Sequence, residues 1–391
     1  MYKLTAEERE RALSLLMKVM AIPSVNGVSR EADVADYLKS YFSDTGYPAK
    51  VQQIDEKRGN FILEVPGEET DHYMVWNGHM DTVPYGDVSA WATDPAVPVI
   101  KEDGRLYGRG ASDMKSGLCA MAFALHLLAE RGVKPRETVR FVGTCDEEKG
   151  GAGAAAILEG NLFGDPDFLL IGEPTDCQLG IAQKGCIWLE LTVKGKTCHG
   201  AYPWMGINAA EIGFELCQQI KTYVSCMEHP VLSQATASIT QVHGGVANNM
   251  IPDEVRFIMD VRTVPGVSHE KLLQEIDSLK QVMEISYPGL EVKVQILNER
   301  IPVEISRGHH RAKQLRKAAE RATGKVPEDM GINFFTDASV FLRKKQVPTL
   351  LFGPGSPALC HKTDESMELA RYYEAIETYL EFLTMGDEAE G

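Results

Sequence analysis

Short apolar segments that end in glycine, acidic residues or histidine recur along the first half of the chain. Residues 73–76, 138–142 and 168–170 are apolar-rich runs with the length of a buried strand, and turn residues follow each of them. A helical pattern runs from residue 115 to residue 131. Strands that alternate with helices predict a protein of the α/β class.

The N-terminal segment is predicted to be an amphipathic helix. Residues 5–8, Thr-Ala-Glu-Glu, have the form of a helix capping box. Apolar side chains follow at Leu13, Leu15, Leu16, Val19 and Met20. The segment lacks the basic start and uninterrupted apolar core of a signal peptide, so we expect it to belong to the folded protein.

The middle of the chain has a different pattern. Six elements are predicted there in the order strand, helix, strand, strand, helix, strand, at residues 188–194, 208–227, 236–242, 255–262, 269–283 and 290–297. This is the order of a ferredoxin-like β-α-β-β-α-β unit. We therefore expect an α/β domain formed by residues 1–182 and 298–391, interrupted by a second domain at residues 183–297.

Composition narrows the classes of function. The 391 residues carry a net charge of −16, which argues against nucleic acid or a membrane surface as a partner, because both attract basic patches. Hydrophobic residues make up 44% of the chain, enough for a sizeable core, but they form no run of about 18 that would span a membrane. The eight cysteines form no Cys-x-x-Cys pair, which predicts reduced thiols and a cytoplasmic location.

His79 and Asp81 lie at the end of the first apolar run. Side chains two residues apart on a strand project from the same face, so these two side chains stand together. An imidazole can bind a metal through one ring nitrogen and donate its other N–H to a carboxylate. The pair alone is more often an ordinary surface feature.

Further acidic residues follow turns or strands in a similar way. Asp113 precedes the helical pattern, where it could cap the helix or offer one oxygen to each of two cations. Glu147 and Glu148 follow the second apolar run and point in different directions, so one could ligate while the other acts as a base. A solvated acidic turn is the alternative interpretation. Glu173 follows the third run.

A late histidine, His361, follows a further apolar run and would, alone, be interpreted as structural. With it, the candidate ligands become two imidazoles and three carboxylates: His79, Asp113, Glu148, Glu173 and His361. This mixed set of nitrogen and oxygen donors suits two zinc ions that share a bridging carboxylate. Four of the five lie at the ends of predicted strands, and sites in open α/β sheets form at the carboxyl ends of strands.

Together these motifs resemble those of a known family. GHMDTVP, GRGASDMKSG, DEEKGG and GEPT occur in this order before His361, and the similarity spans nearly the whole chain. The chain resembles the dinuclear zinc amidohydrolase and peptidase family of acetylornithine deacetylase, succinyl-diaminopimelate desuccinylase, glutamate carboxypeptidase and the aminoacylases. The resemblance implies a zinc-peptidase-like catalytic domain with a mixed central sheet, interrupted by a ferredoxin-like lid and dimerisation domain.

The resemblance also implies a set of metal ligands. His79 and Glu173 would hold one zinc ion. Glu148 and His361 would hold the other, and Asp113 would bridge the two. Cobalt or manganese are possible substitutes for zinc.

Three further features near these ligands come from the same resemblance. Glu147 would be the general base of the reaction. Asp81 would orient the imidazole of His79. The peptide bond between Asp113 and Met114 would be cis.

Other candidate residues lie mostly in the insert. A loop histidine such as His199 is ordinarily bound to backbone, but the resemblance implies that it reaches into the partner subunit of a homodimer and stabilises the oxyanion. By the same resemblance Asn248 and Asn249 contact the substrate. Arg262 would grip a substrate carboxylate, or instead pair with an aspartate close in sequence. Gly353 would pass close to the substrate, or serve as a turn residue.

We expect an enzyme that hydrolyses the amide bond of a small N-acyl amino acid, of the acetylornithine deacetylase or succinyl-diaminopimelate desuccinylase type. A metal-activated water would attack, with Glu147 as the base. Residues 183–186 are Gln-Lys-Gly-Cys, where desuccinylases of the family carry Arg-Arg-Gly-Ser, so one substrate-binding arginine is missing. A dipeptidase or carboxypeptidase that acts on a short peptide is the alternative. A remote alternative is an inactive homologue that acts as a binding protein.

Overall fold

The structure is a computed structural model, and it describes residues 2–343 and 345–386. Nine α-helices lie within these ranges: α1 (Ala6–Ala21), α2 (Ala32–Tyr41), α3 (Lys115–Glu130), α4 (Ala152–Glu159), α5 (Ala209–Ser225), α6 (His269–Ser286), α7 (His310–Thr323), α8 (Ala338–Phe341) and α9 (Leu369–Thr384). Over these same ranges, every helix is too short or too polar to cross a membrane.

The described residues also form eighteen strands. They are β1 (Ala49–Gln53), β2 (Gly59–Val65), β3 (Glu69–His79), β4 (Val99–Ile100), β5 (Arg105–Tyr107), β6 (Glu137–Thr144), β7 (Phe168–Ile171), β8 (Leu179–Gln183), β9 (Gly185–Lys194), β10 (Glu228–His229), β11 (Ser233–Gln234), β12 (Thr236–Gly244), β13 (Glu254–Thr263), β14 (Glu291–Arg300), β15 (Val303–Glu304), β16 (Asp329–Ile332), β17 (Thr349–Leu351) and β18 (Ser366–Glu368).

The largest sheet has nine strands in the order β1-β2-β6-β3-β7-β17-β8-β15, and β16 pairs with β8. Strands β6, β3, β7 and β17 pair in parallel. The pairs β1 with β2, β2 with β6 and β17 with β8 are antiparallel. The sheet is therefore mixed, as predicted, and the apolar runs at residues 73–76, 138–142 and 168–170 lie in β3, β6 and β7.

Helix α3 lies inside the fold because it is apolar around most of its circumference. Every residue from Lys115 to Leu128 is buried, and the helix packs against β3, α1 and α9. Helix α1 begins with the predicted capping box. Thr5 Oγ1 accepts the N–H of Glu8 at 3.2 Å, and the Thr5 N–H donates to the Glu8 carboxylate at 2.8 Å. This reciprocal pair satisfies two backbone donors that the helix itself leaves unpaired.

The chain divides into two compact units. Unit 1 comprises Met1–Ile181, Glu304–Met330 and Thr336–Gly391, and unit 2 comprises Ala182–Val303 and Gly331–Phe335. In unit 2 a four-stranded antiparallel sheet has the order β12-β13-β9-β14. Helix α5 packs on this sheet, and α6 packs on α5 and β14. Apart from the short strand pair β10-β11 between α5 and β12, the chain order β9-α5-β12-β13-α6-β14 is the predicted β-α-β-β-α-β arrangement.

The core of unit 2 follows from a period of two along β9. Ile187, Leu189, Leu191 and Val193 are buried and alternate with residues that are only partly buried. Side chains of alternate residues project from the same face of a strand, so these four form one apolar face. They belong to the same buried cluster as the apolar residues of α5 and α6.

A small three-stranded sheet in unit 1, in the order β18-β5-β4, joins two segments that are distant in the sequence. Ser366 of β18 is in register with Tyr107 of β5. Just beyond this pair, the N–H of Gly108 donates to the carbonyl oxygen of Glu365 at 3.0 Å. Residues 108–113, which follow β5, and residues 361–365, which precede β18, therefore lie side by side at the same end of this strand pair.

Candidate metal centre

Three neighbouring parallel strands of the central sheet end at almost the same level. His79, the last residue of β3, is in register with Thr144, the last residue of β6. On the other side, Asn77 pairs with Ile171, the last residue of β7. The turns that follow the three strands therefore share one edge of the sheet. These turns carry Asp81, Glu147, Glu148 and Glu173.

Asp113 lies between two imidazoles. Its Oδ1 is 3.0 Å from Nε2 of His79, and its Oδ2 is 3.2 Å from Nε2 of His361. The peptide bond between Asp113 and Met114 is cis, which confirms the prediction. A carboxylate that presents one oxygen to each of two imidazoles has the arrangement that a bridging ligand of two cations needs.

Each imidazole also faces one of the predicted glutamate ligands. Nε2 of His361 is 2.9 Å from Oε2 of Glu148, and Nε2 of His79 is 3.9 Å from Oε1 of Glu173. With Asp113, the structure brings together all five residues that the sequence analysis selected as ligands.

Glu147 lies on the side of His79 and Glu173. Ligand atoms of these three residues all lie within 4.8 Å of one another, and the same holds for His79, Asp113 and Glu148. The Glu147 side chain is buried. The edge of the sheet thus presents two overlapping groups of donor atoms that share one imidazole.

Asp81 is fully buried and contacts both the imidazole and the acidic turn. Nδ1 of His79 donates to the carbonyl oxygen of Asp81 at 2.9 Å, whereas the nearest carboxylate oxygen is 3.8 Å away. The carboxylate itself accepts the backbone N–H groups of Glu147 and Glu148, each at 3.2 Å, and Nδ2 of Asn26 at 3.0 Å. Asp81 therefore supports the imidazole mainly through its backbone and holds the acidic turn through its side chain.

Burial and mutual repulsion shift the pKa values of the cluster. Burial raises the pKa of Glu147 and of Glu173 well above the usual range, and nearby carboxylates add to this effect. Burial also raises the pKa of Glu148 to about 7. Hydrogen bonds with Asp113 and Glu148 raise the pKa of His361 to about 10. Burial acts to raise the pKa of Asp113, but hydrogen bonds from the two imidazoles outweigh it and hold that pKa below its usual range.

This cluster fits a pair of divalent cations. The ion-pair partners that the structure gives to Asp113, Glu148 and Glu173 are the imidazoles of His79 and His361. Concentrating several ionised carboxylates in a buried volume is costly unless cations balance them. Imidazole nitrogens and carboxylate oxygens in combination are typical ligands of zinc, and carboxylates also suit manganese.

Two loops of unit 2 carry the next group of predicted residues. His199 lies in one loop, and Asn248 and Asn249 lie in the other; all three are exposed. The N–H of Gly200 donates to the carbonyl oxygen of Asn249 at 2.7 Å, which ties the two loops together. Nδ1 of His199 accepts the N–H of Ala201 at 3.0 Å, so a neutral ring carries its proton on Nε2.

Arg262, also in unit 2, forms a two-pronged ion pair with Asp260. Its Nε is 2.7 Å from Oδ1, and its Nη2 is 2.9 Å from Oδ2. The guanidinium group also lies 5.5 Å from the centre of the Phe335 ring. The fork of donors that would grip a substrate carboxylate is thus engaged by a neighbouring aspartate, which was the alternative interpretation of the sequence.

Gly353 is buried in unit 1 against the strand end that carries Glu173. A Cβ atom at Gly353 would lie 2.3 Å from the carbonyl oxygen of Gly172 and 2.6 Å from that of Glu173. A glycine is therefore needed for this close backbone approach.

Several residues at the site had no role in the sequence analysis. Asn26 donates to the carboxylate of Asp81. Asp337 is buried, and its charge adds to the rise in the pKa of two glutamates of the cluster. Arg109 and Glu365 form a buried ion pair. These contacts join segments that are far apart in the sequence. The local signals were the position of Arg109 in the GRGASDMKSG motif and the closeness of Glu365 to His361 in the sequence.

Comparison with known proteins gives concordant matches. Residues 75–385 match the family described as Peptidase family M20/M25/M40. The chain is 28% identical over 408 positions to "Probable succinyl-diaminopimelate desuccinylase" of Staphylococcus aureus, covering 96% of this chain and 97% of that protein. It superposes on a tripeptidase from Staphylococcus aureus with a TM-score of 0.76 and 22% identity, covering 96% and 97% of the two chains. A dinuclear metal binding peptidase of the M20 family from Bacillus subtilis gives a TM-score of 0.76 and 15% identity, covering 97% and 98%. At these identities the two structures establish a shared fold.

Proposed function

Because the chain belongs to peptidase family M20/M25/M40 and is thus a metal-dependent hydrolase, we propose that it uses two zinc ions to cleave the amide bond of an N-acyl amino acid. The observation that carries this proposal is the carboxylate of Asp113. Its two oxygens lie 3.0 Å and 3.2 Å from the imidazoles of His79 and His361, at the edge of the sheet where the acidic turns meet.

Five residues would hold the ions. His79 and Glu173 would bind one, Glu148 and His361 the other, and Asp113 both. The relative from Bacillus subtilis, described as a dinuclear metal binding peptidase, supports the number of two ions. Bound divalent cations would supply Lewis-acid activation of the amide carbonyl and of water.

Glu147 would move the proton in this reaction. Its side chain is buried near His79 and Glu173, beside the atoms that would hold the metal ions. Its backbone N–H is held by Asp81 at 3.2 Å, so the turn that presents the carboxylate is fixed. The carboxylate would accept a proton from the attacking water and return it to the leaving amine nitrogen.

Unit 2 would serve as lid and dimerisation domain, and His199 would act in the site of the partner subunit. Nδ1 of His199 accepts the N–H of Ala201, so Nε2 is the ring nitrogen that would donate to a developing oxyanion. Strand β12 is the edge of its sheet, and all of its residues except Ala237 are exposed, so it is available to pair with a second copy. Two-fold symmetry would make both sites equivalent.

The preferred substrate is an N-acyl amino acid, in line with the name of the relative that is 28% identical. A short peptide is the second candidate, because this chain lacks free arginine side chains at the positions expected to bind the carboxylates of a succinylated substrate. Gln183 and Lys184 stand where family desuccinylases have two arginines. Arg262 is already engaged by Asp260.

The test combines metal analysis with a substrate panel. The purified protein should contain two equivalents of metal, lose turnover on treatment with a chelator and regain it with zinc, cobalt or manganese. The panel should hold N-acetyl and N-succinyl amino acids together with dipeptides and tripeptides, each assayed for release of a free amine. Turnover that survives complete metal removal would reject the proposal, as would inertness across the panel with both ions bound. Preference for unblocked peptides would select the second candidate.

A further inference from the structure

We propose that Arg109 and Glu365 are positioning residues of the metal centre. Their buried ion pair is called here the Arg109–Glu365 clamp. It would hold the backbone of Asp113 against the loop of His361, and so set the affinity for the metal ion that Glu148 and His361 would hold. This inference rests on the proposed dinuclear centre, and neither residue of the clamp is itself one of the five ligands.

Glu365 binds the backbone of the bridging residue directly. Its side chain is 0% exposed. Oε1 accepts the N–H of Asp113 at 3.0 Å and the N–H of Ser112 at 2.8 Å. Two backbone donors on one carboxylate oxygen fix the plane of the peptide from which the Asp113 side chain projects. A shift of this carboxylate would therefore move the bridging ligand.

Arg109 connects the segments that carry three ligands. Nη1 donates to Oε2 of Glu365 at 2.7 Å and lies 3.4 Å from the carbonyl oxygen of Lys362, the residue after His361. Nη2 donates to the carbonyl oxygen of Pro84, in the segment that follows His79 and Asp81, at 3.1 Å. Arg109 itself lies in the loop that leads to Asp113. One planar guanidinium group thus links the three loops, a task for which a single ammonium group has the wrong shape.

The clamp contacts the backbone of one ligand residue and the backbone next to another. The bridging carboxylate belongs to a residue whose own N–H is bound by Glu365, and the carbonyl bound by Arg109 belongs to the neighbour of His361. The gap that these two loops must maintain is the 3.2 Å between Asp113 Oδ2 and His361 Nε2. Metal ligands need support of this kind to stay within about 0.5 Å of their productive geometry.

Unit 1 contains a second buried ion pair that provides a matched control. Arg311 and Glu137 are 5% and 6% exposed, and Nη2 of Arg311 is 2.5 Å from Oε2 of Glu137. This pair joins α7 to the start of β6, and within the part of the chain that the structure describes its contacts do not include any of the five ligands. Breaking it should therefore cost stability without changing the metal site.

The experiment compares Glu365→Gln with Glu137→Gln. Glutamine keeps the size of the side chain and an oxygen for the two N–H groups, but it loses the charge that binds Arg109. Arg109→Lys is the second variant, because lysine keeps a positive charge but has one nitrogen in place of the fork. Each full-length protein is stripped of metal with a chelator and titrated with Zn²⁺ or Co²⁺ by calorimetry, and urea unfolding of the stripped protein is measured in parallel.

Removing support of a metal ligand typically lowers metal affinity by about 10–100-fold. We expect a loss of this size for the weaker-binding ion in Glu365→Gln and Arg109→Lys, and unchanged affinity for both ions in Glu137→Gln. The stripped Glu365→Gln and Glu137→Gln proteins should be destabilised to a similar extent.

Unchanged metal affinity in both clamp variants would overturn the inference. So would an equal loss of affinity in Glu137→Gln, because the effect would then follow stability alone. If neither clamp variant folds while Glu137→Gln does, the pair is a folding element and the positioning role is rejected. A wild-type protein that fails to bind two ions would instead reject the proposed function.

Discussion

Replacing Glu147 by glutamine removes a proton acceptor and leaves its surroundings nearly unchanged. The backbone N–H of Glu147 would still donate to Asp81, because that 3.2 Å contact does not involve the altered side chain. Glutamine has almost the same shape as glutamate, so the packing of the buried side chain is preserved. Since Glu147 is assigned as the base and not as a ligand, both metal ions should remain bound.

The expected loss of turnover follows from the two proton transfers assigned to this one carboxylate. General acid–base catalysis contributes about 10²–10⁴-fold to an enzymatic rate. At about 1.36 kcal/mol for each tenfold change, this corresponds to about 2.7–5.4 kcal/mol of barrier height. We expect Glu147→Gln to lie at or beyond the upper end, because the residue would both accept the proton of water and return it to the amine.

The neighbouring residue supplies the matched comparison. Glu148 Oε2 lies 2.9 Å from Nε2 of His361, in the group of atoms assigned to a metal ion. Glu148→Gln should therefore lower metal occupancy, and excess metal in the assay should restore part of its turnover. Glu147→Gln should keep full occupancy, and excess metal should not restore its turnover.

Both variants can be measured with the substrate that the panel identifies. The metal-to-protein ratio after desalting is compared with turnover at saturating substrate, and circular dichroism checks that each variant is folded. Full metal content in Glu148→Gln together with metal loss in Glu147→Gln would show that the two roles are reversed. Near-normal turnover in Glu147→Gln would refute its role as the base.

The other predictions concern stability, packing and assembly. Thr5→Ala should lower the free energy of unfolding in urea by about 1 kcal/mol, because it removes the side-chain oxygen of the α1 capping box. Gly353→Ala should lower stability by about 1–3 kcal/mol and weaken metal binding in a titration. The new Cβ would lie 2.6 Å from the carbonyl oxygen of Glu173. His199→Ala and Glu147→Gln, each inactive alone, should regain at most about half of the native activity per mixed dimer after subunit exchange, because one site is then complete.

The predictions for Thr5 and Gly353 each have a control variant within the chain. Thr5→Ser keeps the capping oxygen and should leave stability unchanged. Gly308→Ala should leave stability and metal binding unchanged, because the nearest atom to its new Cβ is 3.7 Å away. Equal effects of each variant and its control would refute the corresponding explanation. No recovery in the mixed dimers despite measured exchange, or a fully active monomer, would remove the role of His199 in the partner subunit.

Local patterns in the sequence were sufficient to predict the strands that carry the site. Apolar runs locate the buried centre of each strand, and the residues after each run must then lie at its end. The first and last residues of each strand were less predictable. Strand β3 begins at Glu69, before the apolar run at 73–76, because Glu69 pairs through its backbone with Glu137 of β6. Backbone pairing does not require apolar side chains, so hydrophobicity does not reveal it.

The support of the ligands could not be predicted in the same way. Arg109 and Glu365 are 256 positions apart, and their contact exists only because β5 and β18 pair. Residues 331–335 belong to unit 2, although the sequence pattern suggested one uninterrupted segment from 298 to 391. The local pair of Arg262 and Asp260 is different, because residues two apart on a strand share a face and the ion pair was one of the two interpretations.

The positions at which the chain leaves and re-enters the central sheet affect how much the inserted residues cost the folding of unit 1. Strands β8 and β15 are neighbours in that sheet, and the longer segment of unit 2 lies between them along the chain. Adjacent paired strands are about 4.8 Å apart, so the insertion begins and ends almost at the same point. The entropy of closing a loop rises only slowly with its length once its ends are close. For the folding of unit 1, the more than a hundred residues of this segment therefore act as one long loop, whose closure cost grows by only about 0.6 kcal/mol for each doubling of its length.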